Sequence, residues 1–67
     1  MADARATVEE WAAQAATWAA TAAGAVRSGE AAEARGDHPA AVAFRADAER
    51  ACVASEEAIR AIRDRLA

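Results

Sequence analysis

Apolar positions along this chain recur at alternating intervals of three and four. From residue 8 to 26 the repeat is carried by Val8, Trp11, Ala15, Trp18, Ala22, Ala25 and Val26. From 41 to 66 it is carried by Ala41, Phe44, Ala48, Ala51, Cys52, Ser55, Ile59, Ile62 and Leu66. Residues i, i+3 and i+4 share one face of an α-helix, so each set predicts a single apolar stripe on a helix. β-branched residues are few and scattered, which argues against strands.

Punctuation sets the ends of two helices. Thr7-Val8-Glu9-Glu10 has the form of a capping box, with Glu10 three residues after the capping Thr7. Glu9 and Glu10 then sit where the positive end of the helix dipole favours them. Asp3 offers an earlier start. Helix 1 is expected over about 7–35. Gly24 and Gly29 lie inside it, each costing ~1 kcal/mol relative to alanine, so a break at Ser28-Gly29 giving three helices is the alternative. The strongest stop is Gly36-Asp37-His38-Pro39. Gly36 suits the left-handed end of a helix, Asp37 or His38 can cap the next, and Pro39 fits a first turn where its missing N–H is not needed. Helix 2 is expected over about 39–66. Each helix is then about 28 residues, or roughly 42 Å at 1.5 Å per residue. Equal helices joined by a short turn predict an all-α, two-helix antiparallel hairpin, with residues 1–67 as one domain.

Antiparallel pairing brings Trp11 and Trp18 towards Ile59, Ile62 and Leu66 at the open end. Alanine and Phe44 line the turn end. The bulky core is therefore expected at the open end, and the turn end is expected to be thin and closely packed. The backs of the helices differ. Helix 2 carries Arg45, Asp47, Glu49, Arg50, Glu56, Glu57, Arg60, Arg63, Asp64 and Arg65, whereas residues 11–26 of helix 1 carry no charge at all. A solvated helix normally shows charge on its back. Helix 1 is thus expected to be covered on more than one side, which a single helix 2 cannot do.

Size sharpens that expectation. A chain of 67 residues is below the ~70–80 at which one core outweighs conformational entropy comfortably. One cysteine excludes an internal disulfide, and one histidine without a Cys/His cluster argues against structural zinc. Packing and association remain. Alanine, the best helix former, supplies 25 of the residues. All eight basic residues are arginine, and with so much alanine this suggests a bacterial genome of high GC content. A net charge of −3 argues against nonspecific nucleic-acid binding and against an anionic membrane surface. The uncharged run is too short and too alanine-rich for a transmembrane helix, and acidic residues precede it where a signal peptide needs basic ones. A cytoplasmic location is expected, in keeping with a lone free thiol.

Candidate chemistry is sparse. His38 sits in the turn beside Asp37 without the positioned partners that acid–base catalysis needs. Cys52 lies on the apolar stripe, where a free cysteine behaves as a small hydrophobe, or pairs with a symmetry mate. Trp11 and Trp18 share a face as core or as partner anchors. No Glu precedes His38 at the spacing of a di-iron site. Arg35-Gly36-Asp37 spells an integrin-binding tripeptide and is read as coincidence. No phosphate-binding loop or nucleophile elbow is present.

Residues 31–48, AAEARGDHPAAVAFRADA, resemble the helix–turn–helix junction of a tetratricopeptide repeat. The likeness rests on Gly36-Asp37, Ala41, Phe44 and Ala48, and covers about a quarter of the chain. It implies a hairpin turn at 36–39. The upstream Trp-Leu-Gly-Tyr portion of that repeat is absent, and the helices are about twice its length.

The sequence therefore predicts a non-catalytic, self-associating helical-bundle protein with a structural or scaffold role, without cofactor, metal or catalytic residue. A homo-oligomer is expected, with a dimer completing a four-helix bundle. The alternative is a small accessory or regulatory subunit that binds a larger protein through the uncharged face of helix 1. The expected interface and core residues are Val8, Trp11, Ala15, Trp18, Ala22, Val26, Phe44, Cys52, Ile59, Ile62 and Leu66. Truncating Trp18 to alanine is expected to cost several kcal/mol.

Overall fold

The computed structural model describes residues 7–67, so the early start at Asp3 lies outside the described residues. Two helices, α1 (Val8–Ala34) and α2 (His38–Leu66), run antiparallel and pack along their length. Thr7 caps α1 through the full capping box. Its hydroxyl accepts from the Glu10 amide at 3.1 Å, and the Glu10 carboxylate accepts from the Thr7 amide at 3.1 Å.

The turn has a backbone cause. Gly36 takes a φ of +76°, the left-handed region where a side chain would be strained. Its amide donates to the Glu33 carbonyl and that of Asp37 to the Ala32 carbonyl, each at 2.9 Å. These two bonds are the Schellman termination of a helix, and they satisfy carbonyls that the end of the helix would otherwise leave free. Asp37, rather than His38, caps α2, its carboxylate accepting from the Ala40 amide at 3.2 Å. His38 is already helical and Pro39 follows in the first turn. His38 Nδ1 lies 2.9 Å from Glu33 Oε1, bridging the turn. Both groups are exposed, so this pair adds little stability.

No break occurs at Ser28-Gly29, because α1 continues through both residues. The reason lies on α2. A methyl at Gly29 would sit 3.4 Å from Phe44 Cβ and 3.8 Å from the Ala41 carbonyl oxygen. Packing against Phe44 and Ala41 thus offsets the helix cost of that glycine.

The seam follows a strict heptad. On α1 it runs Val8, Trp11, Ala15, Trp18, Ala22, Ala25, Gly29, Ala32, and on α2 it runs Ala41, Phe44, Ala48, Ala51, Ser55, Ala58, Ile62. Alternating steps of three and four keep one stripe facing the partner helix when the pair supercoils. The buried residues are Ala22, Ala32, Ala41, Ala48, Ala51 and Ala58. Small side chains let the backbones come close, which replaces hydrophobic bulk with dispersion contacts. Half-buried Ser55 donates across the seam to the Ala15 carbonyl at 3.3 Å.

Candidate functional site

The buried part of the seam is alanine, and two grooves flank it along opposite faces of the hairpin. The Val26 face is lined by Val26, Glu30 and Glu33 from α1 and by Arg45 from α2, over a floor of Ala25, Gly29, Ala41 and Ala48. Steps of seven from Arg45 reach Cys52, Ile59 and Leu66, all exposed, and steps of seven back from Val26 reach Ala19 and Ala12. This face carries apolar residues from the open end to Val26, with Glu56, Arg60 and Arg63 around Ile59 and Glu30, Glu33 and Arg45 near the turn.

The Trp18 face is lined by Trp18, Thr21 and Ser28 from α1 and by Phe44, Asp47 and Arg50 from α2, over Ala25 and Ala51. Asp47 and Arg50 pair with one another along its edge. Thr17 and Thr21 carry the only hydroxyls within the uncharged run of α1. Both turn them inward, to the carbonyls of Ala13 and Thr17, each at 3.0 Å. Satisfied on their own helix, they present methyl groups outward. The back of α1 is therefore more apolar than its composition suggests.

The residues singled out from sequence divide into three groups. Ala22 is buried in the seam. Val8, Trp11, Ala15, Phe44 and Ile62 lie in the seam and are partly covered. Trp18 remains 41% exposed, Val26 50%, Ile59 45% and Leu66 72%, and Cys52 is exposed as well. The hairpin alone therefore does not bury Cys52, and the bulky residues at its open end do not close into a core.

The single stripe read on helix 2 is two parallel rows. One row, Ala41 to Ile62, meets α1. The other, Cys52, Ile59 and Leu66, flanks it. Ala32 and Ala58 escaped notice in the sequence because they are small, and Gly29 was weighed there only as a possible break. A strict heptad count, rather than a search for bulk, finds all three. Val42 and Val53 are exposed on the outer side of α2 and belong to neither row.

Chemistry does not gather on either face. Among the described residues no three His, Cys, Asp or Glu side chains come together as metal ligands. His38 has only the exposed Glu33 beside it. No helix of the described residues is long and apolar enough to cross a membrane. What these surfaces are able to do is pack against apolar helices. Compared with known protein families, curated proteins and solved structures, the chain matches none.

Proposed function

We propose that this protein is a non-catalytic, self-associating helical-bundle protein whose role is structural or scaffold-like, with a dimer as the simplest assembly. One observation carries the reading: all of the buried apolar residues among those described are alanines, while Trp18, Val26, Ile59 and Leu66 stay exposed. A fully buried leucine, isoleucine or phenylalanine contributes roughly 1.5–3 kcal/mol, and the hairpin by itself collects none of that in full. A second copy would supply the apolar surface that the hairpin lacks.

Light scattering on a sizing column, over a concentration series and with circular dichroism on the same fractions, tests this. A strongly helical dimer or larger oligomer is the expected result. A helical monomer at every concentration contradicts it.

A second reading is favoured by the uncharged back of α1. There the protein is an accessory or regulatory subunit that lays α1 against a larger protein. In that case the isolated chain is a weakly helical monomer and gains helix only when the partner is added.

A further inference from the structure

We draw no further inference here: the strongest candidate, the groove on the Val26 face of the hairpin, rimmed by Glu30, Glu33 and Arg45 over an alanine and glycine floor, carries nothing because nothing in the structure shows what covers it.

Discussion

The two ends of the hairpin are built on opposite terms. At the turn end, Ala32 and Ala41 are buried and Phe44 packs beside Gly29, because most of the seam there is alanine and glycine. At the open end, Trp11, Ile59, Ile62 and Leu66 hold far more apolar surface. Two helices cannot enclose it, and Leu66 stays 72% exposed. Small residues close a two-helix seam by themselves, whereas large ones need further helices around them. The turn end therefore sets the geometry of the hairpin, and the open end leaves apolar surface uncovered.

The comparison breaks first at the turn end. Ala41→Leu forces added methylenes into a seam that has no room for them. It is expected to cost about 3 kcal/mol, the upper part of the range for overpacking. Ala31→Leu, exposed on α1 at the same end of the hairpin, is expected to stay within about 0.5 kcal/mol. Urea unfolding of the two variants measures the difference, and equal losses would mean that the seam is not tightly packed.

Trp18→Ala comes next. Its partial exposure in the hairpin reduces the several kcal/mol expected from sequence to about 2 kcal/mol, below the ~3–5 kcal/mol of a buried tryptophan. A loss at the full buried value would mean that Trp18 is covered by more than its own hairpin. Thermal melts at fixed concentration decide this.

The smallest effect separates the two interior glycines of α1. A methyl at Gly24 would meet only the flexible end of Arg27 at 3.9 Å. Gly24→Ala is expected to stabilise by about 1 kcal/mol, the full helix-propensity gain. Gly29→Ala would gain the same propensity but bring its methyl against Phe44, so its melting temperature is expected to rise less. A larger rise for Gly29→Ala would show that the seam has slack there.

The hairpin was legible in the sequence because its signals are local. The Thr7 capping box, Gly36 at the left-handed position and Asp37 with Pro39 behind it each act within a few residues of chain. The seam was only half legible. Cys52, Ile59 and Leu66 stand next to the contact row on the helix surface, and a stripe drawn by bulk merges the two rows. Ser28-Gly29 looked like a break because propensity sees glycine alone and not the Phe44 that packs on it. Ser55 carries an interhelical hydrogen bond that no local pattern announces, since its partner is a backbone carbonyl on the other helix.

The most direct test of the central claim, that this hairpin is completed by association, is its thermal unfolding followed by circular dichroism over a roughly hundredfold range of concentration. Linkage requires that a fold stabilised by its own kind melt higher as concentration rises. The account predicts a midpoint that climbs steadily with concentration, together with helicity that falls at the dilute end. One cooperative melt at the same temperature and full helicity throughout would contradict it, and would mean that the alanine seam is sufficient alone.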